Sequence, residues 1–396
     1  MISVDFKEAF GGNIGDPLRD PYRVYAQLRR EAPCHRFETT FGPMYFVTTY
    51  AGVERVLGDP KLFSSRINNE RLIGMVIGST IIGMDEPEHN MMRRLVMPFF
   101  VPSAIQRLGN AMNVIATEMV DHLGEYGEVD LIRQFTFTYP LAVFDRLILG
   151  ANLGDEAQFH QWTRSFLKLT TNPAEAMMAV AQIREFLAPV IARARASSVA
   201  RTLVERLAQA EIDGQRLSDE QVSSFLILLL QAGAETTYGL LGSAFYLTLK
   251  NGLWPYVAVH PEIIDLIFNE TLRFEPPVQF VARGTMEAIE LEGVRIPADA
   301  FVVAVIGSAN RDERAFSEPD RFDIARSKRD RELSFHFGRG PHYCVGTHLA
   351  HAEFTTAFRA LSSRFPYLQL ADMGGRGGIV GFPFRAPEIL PVILHT

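Results

Sequence analysis

One cysteine near the C-terminal end of the chain lies among residue types that suit a metal-bound thiolate. Residues 335–351 read Phe-His-Phe-Gly-Arg-Gly-Pro-His-Tyr-Cys-Val-Gly-Thr-His-Leu-Ala-His. Gly338 and Gly340 permit a tight turn that brings the backbone close to a flat or bulky group. Cys344 lies where a helix is predicted to begin, and the free N–H groups and dipole there favour a thiolate over a thiol. A sulfur held in this way is suited to be the axial ligand of a haem iron.

The same loop allows two other interpretations. Phe337 can cover the sulfur and Gly346 leaves room for a macrocycle, yet a lone thiol is most often a buried structural cysteine. Cys344, His348 and His351 could also belong to a zinc site, because two histidines three positions apart are a zinc-ligand spacing. The glycines around Cys344 allow the backbone to come close to a flat ligand, which favours such a ligand over a tetrahedral ion.

An acid and an alcohol stand side by side within the most apolar stretch of the chain, in the segment Ala232-Gly-Ala-Glu235-Thr236-Thr. Glycine weakens a helix, and a threonine hydroxyl can bond back to the carbonyl four residues earlier, here that of Ala232. These features predict a local bulge or kink with room for water. A carboxyl beside a hydroxyl at such a point suits proton delivery to an oxygen-bearing site. The simpler alternative is a helix that tolerates a few polar residues.

Two further groups of charged residues have the spacing of neighbours on a helix. Glu270 and Arg273 lie three positions apart, which places a carboxylate and a guanidinium on one helical face. His89 and Arg93 lie one helical turn apart, and Arg283 follows a proline pair. Taken alone, such pairs are common on protein surfaces and contribute little to stability. Each of the three basic residues would then more often face solvent.

The cysteine loop resembles the haem-ligand signature of the cytochrome P450 family. The matching pattern is Phe337-Gly-x-Gly-x-His-x-Cys-x-Gly346, which is highly specific. The resemblance implies that Cys344 is the axial ligand of the iron in haem b and that His342 contacts a haem propionate. The other cofactor contacts that it implies, in this loop and in the central helix, are Phe337, Gly338, Gly346, Ala232 and Gly233.

The acid–alcohol segment is similar to the oxygen-activation helix of the same family. The resemblance assigns Glu235 and Thr236 to the acid and alcohol positions, and their presence favours activation of O2 over use of peroxide. It also implies that His89, Arg93 and Arg283 hold the haem propionates. The joint occurrence of these residues in the family's order is what distinguishes them from ordinary surface residues.

Glu270 and Arg273 match the Glu-x-x-Arg of the family. A third partner is expected from the segment Pro319-Asp-Arg321-Phe. Glu270, Arg273 and Arg321 are therefore predicted to form a structural trio that supports the haem loop.

Family topology implies an apolar pocket on the distal face of the haem, with walls from the glycine-punctuated segment 71–84, the central helix and two segments nearer the C-terminus. The expected lining residues are Ile73, Val76, Ile77, Ile82, Leu228, Leu229, Val278, Phe280 and Phe382. Apolar residues in such a segment suit a water-excluding lid over an apolar substrate, with Met177 and Met178 as an adaptable roof. For any one of these residues, plain hydrophobic core is an equally good interpretation.

Nearly the whole chain takes part in the resemblance, which implies a soluble bacterial monooxygenase that receives electrons from a ferredoxin-type partner. Two departures bear on this expectation. The chain has Asn251-Gly-Leu after the central helix where relatives usually have His-Pro-Glu, and it has His351 where many have arginine. His351 would face the docking side of the electron donor, where a largely neutral side chain weakens or alters pairing with an acidic ferredoxin.

Composition limits the other possibilities. The chain of 396 residues is 47% hydrophobic and 21% charged, carries a formal net charge of −7 and has two cysteines. Cys34 and Cys344 lie more than three hundred positions apart, which excludes a disulfide framework and indicates a reducing, cytoplasmic setting. Mild acidity without a long basic run argues against nucleic-acid binding. The N-terminal residues show no signal-peptide pattern.

The run from Val222 to Leu249 is long enough to cross a bilayer and contains a single charge, Glu235. An acid in the middle of a span, beside polar neighbours, would be costly in lipid. The run is therefore predicted to be a buried central helix, and no membrane anchor is expected.

Helical periodicity dominates the rest of the chain, and no repeat or linker marks a domain boundary. The pattern predicts helices at Pro21–Glu31, through about 103–249 and from Cys344 to about Phe365, with short strands at 44–49, 288–291, 294–296 and within 379–394. The expected fold is a single cytochrome P450-type domain over 1–396, mainly α with small antiparallel β-sheets. The haem would lie between the long central helix and the cysteine-bearing loop.

The leading expectation is a haem-thiolate monooxygenase that inserts one oxygen atom from O2 into an apolar small molecule, by hydroxylation or epoxidation. Two alternatives stay open, a peroxide-driven peroxygenase and a non-enzymatic haem sensor or carrier. The acid–alcohol pair disfavours the first, and the second needs no proton relay. The zinc interpretation would give a protein without visible absorption.

Overall fold

The computed structural model describes residues 4–5, 20–39, 42–125, 127–149, 156–167, 172–212, 214–372, 374 and 377–395. Helices make up most of this part of the chain. They are α1 (Pro21–Glu31), α2 (Tyr50–Gly58), α3 (Ile67–Glu70), α4 (Gly74–Ile77), α5 (Glu88–Phe100), α6 (Pro102–Asp121), α7 (Thr138–Val143), α8 (Glu156–Leu167), α9 (Pro173–Ala196), α10 (Leu203–Gln209), α11 (Asp219–Leu230), α12 (Thr236–Lys250), α13 (Trp254–Val257), α14 (Ile263–Phe274), α15 (Ile306–Ala309), α16 (Lys328–Leu333) and α17 (Thr347–Arg364).

Strands are short, with two to six residues each. They are β1 (Val4–Asp5), β2 (Cys34–Thr39), β3 (Gly42–Val47), β4 (Phe63–Ser64), β5 (Gly127–Asp130), β6 (Glu211–Ile212), β7 (Gln215–Arg216), β8 (Val281–Thr285), β9 (Ile289–Leu291), β10 (Val294–Ile296), β11 (Phe301–Ala304), β12 (Gln369–Leu370), β13 (Ile379–Val380), β14 (Ala386–Pro387) and β15 (Pro391–Leu394). The largest sheet has the order β1-β2-β3-β11-β8-β4.

The strand pairs are antiparallel except for β1 with β2 and β3 with β11, which are parallel. β3 and β11 come from opposite halves of the chain, so no hairpin constrains their direction. The predicted pair of strands near residue 290 is confirmed as the antiparallel hairpin β9–β10. β5 and the hairpin β6–β7 interrupt the region that was predicted to be helical, so the prediction missed these short strands.

The first helix, α1, has the bounds that the sequence predicts. Asp20 begins it by accepting a hydrogen bond from the N–H of Tyr22, and Pro21 occupies the first turn, where its missing N–H costs nothing. Val24, Tyr25 and Leu28 are buried on one face. The helix therefore forms as an amphipathic element whose apolar face packs on the largest sheet.

The predicted central helix forms from α11 and α12, which are joined by a π-helical turn at Gln231–Glu235. A capping box begins it, in which Ser218 accepts from the N–H of Gln221 and the Gln221 side chain accepts from the N–H of Ser218. The run Asp219–Lys250 is long and apolar enough to cross a membrane, but 72% of its most apolar window is buried inside the protein. Its apolar surface is thus covered by the other helices.

Candidate active site

The loop that carries Cys344 is shaped by two glycines and fixed by its backbone. Gly338 and Gly340 have φ angles of +73° and +70°, which a residue with a side chain rarely adopts. The N–H of Cys344 donates to the carbonyl oxygen of Phe337 at 2.9 Å. Helix α17 then begins at Thr347. The cysteine precedes a helix N-terminus, as its sequence context predicts.

The thiol of Cys344 borders an open space inside the protein. The residue is exposed by surface area, yet protein atoms surround the thiol closely enough that burial raises its pKa. The N–H groups of Gly346 and Thr347, together with Arg93, act in the opposite direction and favour the thiolate. The loop is therefore able to support an anionic sulfur once a cation compensates for its burial.

Four basic side chains, two from α5, one from β8 and one from the cysteine loop itself, lie together here. The ring centroids of His89 and His342 are 4.1 Å apart. Burial, followed by the charges of Arg283, His89 and Arg93, lowers the pKa of His342 to about 3. Arg93 Nη2 donates to the carbonyl oxygen of Tyr343 at 2.8 Å, which places this guanidinium next to the cysteine.

This cluster has the chemistry of an anion site. Burial lowers the pKa of Arg283 to about 10, and Asp85 opposes that shift without forming an ion pair with Arg283 among the described residues. The Nδ1 atom of His89 is buried and makes no hydrogen bond within the described part of the chain. A buried guanidinium and an unpaired imidazole nitrogen require anionic or accepting groups nearby. The two carboxylates of a haem are groups of that kind, so the residues present fit a haem.

The central helix widens where the sequence predicts a bulge. Within the π-helical turn, the carbonyl oxygen of Ala232 accepts a hydrogen bond from the Thr236 hydroxyl at 2.6 Å, and this predicted bond is confirmed. Ala232 is exposed, and a Cβ added to Gly233 would meet no atom within 4 Å. A helix that is otherwise buried therefore borders open space at these two residues.

The Glu235 carboxyl is buried on this turn, where it accepts a hydrogen bond from a side-chain amide. Gln231 Nε2 donates to Glu235 Oε2. Burial raises the pKa of Glu235 to about 8, and the hydrogen bond from Gln231 acts in the opposite direction. The Thr236 hydroxyl bonds to the backbone rather than to Glu235. The carboxyl therefore holds a proton at neutral pH.

The cysteine loop and the widened turn share one core. Val345 and Leu349, which follow the cysteine, pack against the apolar cluster that contains Ala234 and Leu229 of the central helix. Helix α17 also packs against α12. These contacts hold the sulfur-bearing loop and the acid–alcohol turn in one fixed arrangement.

Glu270 is buried in a dense ion network, as the family pattern predicts for the Glu-x-x-Arg pair. Its two carboxylate oxygens each accept from Arg273, from Nε and from Nη2, at 2.8 Å. Oε1 also accepts from Arg326 Nε at 3.1 Å and from the N–H of Asp323 at 2.8 Å. Two guanidinium groups and a backbone donor thus compensate one buried carboxylate.

The prediction that Arg321 is the third side chain of this network is wrong. Its guanidinium is exposed and pairs with Glu318 at 3.3 Å. Its backbone carbonyl accepts from Arg273 and from Arg326, so the residue contributes its main chain alone. Residues 319–323 contact the Glu270–Arg273 pair through their backbone, and the next turn brings the Arg326 side chain into the place that was predicted for Arg321.

The predicted pocket residues fall into two packed groups. Ile73 and Val76 pack against the cluster that contains Ile77, Leu228 and Leu229. The rings of Phe280 and Phe382 lie 5.4 Å apart and pack against a second cluster, and Val278 forms a backbone bridge beside them. Eight of the nine expected residues therefore lie in these two groups, and their place in a pocket stays a prediction.

Two of the nine residues differ most in exposure. Ile77 is fully buried in the core, and Ile82 is 40% exposed. The carbonyl oxygen of Ile77 accepts from Arg184 of α9 at 2.9 Å, which ties the lid segment to that helix. Met177 and Met178 are more than half exposed on α9, so their place in a roof stays a prediction.

A second buried acid, Glu353 of α17, contacts Thr237 of the central helix and was not predicted from the sequence. Burial raises the pKa of Glu353 to about 8, and a hydrogen bond with the Thr237 side chain acts in the opposite direction. In the sequence, Glu353 looks like an ordinary helical carboxylate, and its position between apolar neighbours in α17 was the available signal. The contacts of Gln231 with Glu235 and of Arg326 with Glu270 were missed too, because both residues look like ordinary polar side chains until their burial is known.

The zinc interpretation lacks a ligand set. Across the described ranges, no three His, Cys, Asp or Glu side chains converge in a way that could hold a metal ion, and Cys344, His348 and His351 are among the residues described. The cysteine instead faces open space bordered by an anion site, which is the environment of a flat, anionic ligand.

A helical body with a thiolate loop, an anion site beside it and a widened central helix defines a haem-thiolate protein. The profile of the family described as Cytochrome P450 matches residues 13–252 and 260–370. Cytochrome P450 107B1 of Saccharopolyspora erythraea is 33% identical, over 94% of this chain and 95% of its own length. The vitamin D(3) 25-hydroxylase of Pseudonocardia autotrophica is also 33% identical, over 89% and 88%.

Solved structures agree with this assignment. The structure of the cytochrome P450 PksS of the Bacillus subtilis 168 bacillaene polyketide synthase superposes with a TM-score of 0.86 at 30% identity, covering 95% of this chain and 97% of that one. The chain belongs to the cytochrome P450 family. It is an oxidoreductase, a P450 monooxygenase with haem b as its cofactor.

Proposed function

We propose that this protein uses O2 and the electrons of a ferredoxin-type donor to insert one oxygen atom into an apolar small molecule, by hydroxylation or epoxidation. The observation that carries the proposal is the widened turn of the central helix. There, open space at Ala232 and Gly233 lies next to the Thr236 hydroxyl and the proton-bearing Glu235. A protein that only stored or sensed haem would gain nothing from a buried acid at this point.

Residues on both sides of the site would hold the cofactor. Cys344 would ligate the iron, with Phe337, Gly338 and Gly346 shaping the loop around it. His89, Arg93, Arg283 and His342 would bind the propionates, which supply the anionic groups that this cluster lacks. When bound, haem b supplies the iron chemistry by which the family activates O2.

Glu235 and Thr236 would deliver protons. A general acid works best when its pKa lies near the working pH, and the pKa of Glu235, about 8, meets that condition. The Thr236 hydroxyl can accept a proton from a donor while it passes its own onward. Its bond to Ala232 keeps it on the open side of the helix.

The apolar residues of the predicted pocket support the proposed substrate class. Ile73, Val76, Leu228 and Leu229 on one side and the Phe280–Phe382 pair on the other offer apolar contacts, which select an apolar molecule and exclude water. One relative at 33% identity is named for the hydroxylation of vitamin D(3), itself an apolar compound. The similarity supports the class of substrate and not its identity.

A basic surface supports the ferredoxin-type donor. Arg93, Arg94 and Arg107 line a surface cavity of about 760 Å³ on α5 and the start of α6. Because Arg93 also bonds to Tyr343, this surface lies on the side of the cysteine. Complementary charge steers an acidic partner to such a surface. A cytoplasmic location, where such donors work, is part of the proposal.

The test compares Thr236→Ala with Thr236→Ser in the haem-loaded enzyme, supplied with reduced ferredoxin. A bound compound is first identified by its spin-state shift of the haem absorption, starting with vitamin D3. Thr236→Ala should consume electrons while forming little product, and Thr236→Ser, which keeps the hydroxyl, should retain product formation. An equal yield of product per electron in both variants would contradict the proposal. Product formation from peroxide but not from ferredoxin would favour the peroxygenase alternative.

A further inference from the structure

Glu235 has an unusual partner for a buried carboxyl. Both Glu235 and Gln231 are buried on the central helix, and their contact runs from Nε2 of Gln231 to Oε2 of Glu235. Buried acids are generally paired with a cation or with several donors, because an isolated charge is costly in the protein interior. Here one neutral amide takes that place.

The charged groups around Glu235 do not replace this partner. Tyr238, one turn along α12, is affected by both Glu235 and Arg164. Arg164 stacks over the ring of Phe137 at 4.8 Å, and it is not among the causes that shift the pKa of Glu235. Within the described part of the chain, burial and the Gln231 amide therefore set the state of this carboxyl.

The π-helical turn contains both members of the contact. Side chains four positions apart lie on one face of a helix and can reach each other. Gln231 and Glu235 are the first and last residues of the turn. The turn that borders open space at Gly233 thus also carries the amide and the carboxyl.

The hydrogen bond distinguishes the two oxygens of the acid. A protonated carboxyl has one oxygen that accepts and one that carries the proton and donates. Since Oε2 accepts from the amide, the proton belongs on Oε1. The amide therefore decides the direction in which the acid can give up its proton.

We propose that Gln231 is a positioning residue for proton delivery, which fixes the orientation of the Glu235 carboxyl and places its proton on Oε1. The inference rests on the proposed role of Glu235 and adds a residue that acts through it. Gln231 itself touches neither substrate nor the reacting atoms in this assignment. Its effect should therefore disappear when Glu235 can no longer carry a proton.

The first measurement does not depend on turnover. In the haem-loaded protein, infrared difference spectra against Glu235→Gln identify the C=O stretch of the protonated Glu235, separate from that of Glu353. In Gln231→Leu this band should move to higher frequency, because its hydrogen bond is lost. It should also titrate at higher pH, because the amide donor lowers the pKa. An unchanged frequency and midpoint would overturn the proposal.

The second measurement is a double-mutant cycle on product formed per electron. Gln231→Leu is expected to lose about tenfold, the size of a hydrogen bond to an ionisable group. Gln231→Leu combined with Glu235→Gln should lose no more than Glu235→Gln alone. Gln231→Met, which also keeps the volume of the side chain, serves if the leucine variant folds poorly. Independent, additive losses would overturn the positioning role.

Failure of the proposed function gives a different result. If Glu235→Gln forms product as well as the unmodified protein, Glu235 is not the acid and the proposed function is wrong in that respect. The infrared band would still report whether Gln231 orients the carboxyl. A band shift without any change in product would thus overturn the role in catalysis while retaining the contact.

Discussion

Two buried carboxyl groups, Glu235 and Glu270, show how the same side chain serves opposite purposes in one molecule. Both are at most 5% exposed. Glu270 accepts from two guanidinium groups and a backbone N–H, whereas Glu235 accepts from one neutral amide. The charge of the Glu270 carboxylate is therefore compensated by its partners, whereas Glu235, with a pKa raised to about 8 by burial, holds a proton at neutral pH. Burial alone does not decide which of these an acid becomes; the charge of its partners does.

The difference also separates the two regions by function. The Glu270 network joins α14 to the segment 310–326 through hydrogen bonds that saturate the carboxylate, so it fixes the chain in place. The Glu235 turn instead leaves space and an exchangeable proton. Replacing Glu270 should therefore lower the stability of the protein, and replacing Glu235 should lower product formation.

The largest effect is expected for Glu270→Gln. It removes the negative charge and leaves Arg273 and Arg326 buried without compensation, at a cost of about 3–5 kcal/mol in the free energy of unfolding. Urea unfolding of the haem-loaded protein measures this loss, with exposed Glu318→Gln as the control. A loss below about 1 kcal/mol would show that the network is not what stabilises this region.

The next effect is on chemistry at the other carboxyl. Glu235→Gln is expected to lower product formation about 100-fold, since it removes a general acid, while the free energy of unfolding at neutral pH does not fall, because the neutral amide has no proton to lose. Turnover with reduced ferredoxin and urea unfolding are measured on the same preparation. If Glu235→Gln is destabilised as much as Glu270→Gln, the two sites do not differ in the way described.

The pH dependence of stability sharpens the comparison. Between about 4.5 and about 8, folded Glu235 keeps a proton that the unfolded chain releases. The free energy of unfolding should therefore fall as the pH rises through this window, by about 1.4 kcal/mol per pH unit for each such carboxyl, and level off above it. Glu353 behaves in the same way.

Glu235→Gln should reduce this slope by the contribution of one carboxyl, and the double variant with Glu353→Gln should reduce it by two. Urea unfolding at several pH values gives the slopes. If the slope of the single variant equals that of the unmodified protein, Glu235 ionises at its ordinary pKa and the distinction from Glu270 is lost.

The smallest effect is expected for Arg321→Ala. Its guanidinium is exposed and its contribution to the Glu270 network comes from the backbone, so the loss should stay below about 0.5 kcal/mol. Arg326→Ala, which leaves one bond of Glu270 unmade, is the matched comparison and should cost several times more. Equal losses in the two variants would contradict the assignment of the network.

The local chemistry of this protein could be predicted from the sequence where it depends on backbone conformation. Glycine spacing around Cys344 and the Gly-x-x-Thr step at Gly233 fix local geometry, so the loop and the bulge follow from neighbouring residues. Arg326 could not be predicted in this way, because its role depends on a turn that brings it to Glu270 from 56 positions away. Gln231 lies four positions before Glu235, but burial is what makes its amide the partner of this carboxyl.

The pocket and the sheets show the same limit. Ile73 and Ile77 are the same residue type with similar neighbours in the sequence, yet Ile73 is partly buried and Ile77 is fully buried. The parallel pairing of β3 with β11 likewise depends on a contact between opposite halves of the chain. Periodicity predicts the elements, and tertiary contact decides their partners.

The buried Arg283 makes the abundance of folded protein depend on cofactor supply. Burying this guanidinium costs free energy that is recovered when anionic groups bind beside it. A ligand that binds the folded state alone stabilises it in proportion to the logarithm of its free concentration, by about 2.7 kcal/mol at one hundred times the dissociation constant. Cells short of haem would therefore hold less of this protein, because unliganded chains unfold more often and are degraded.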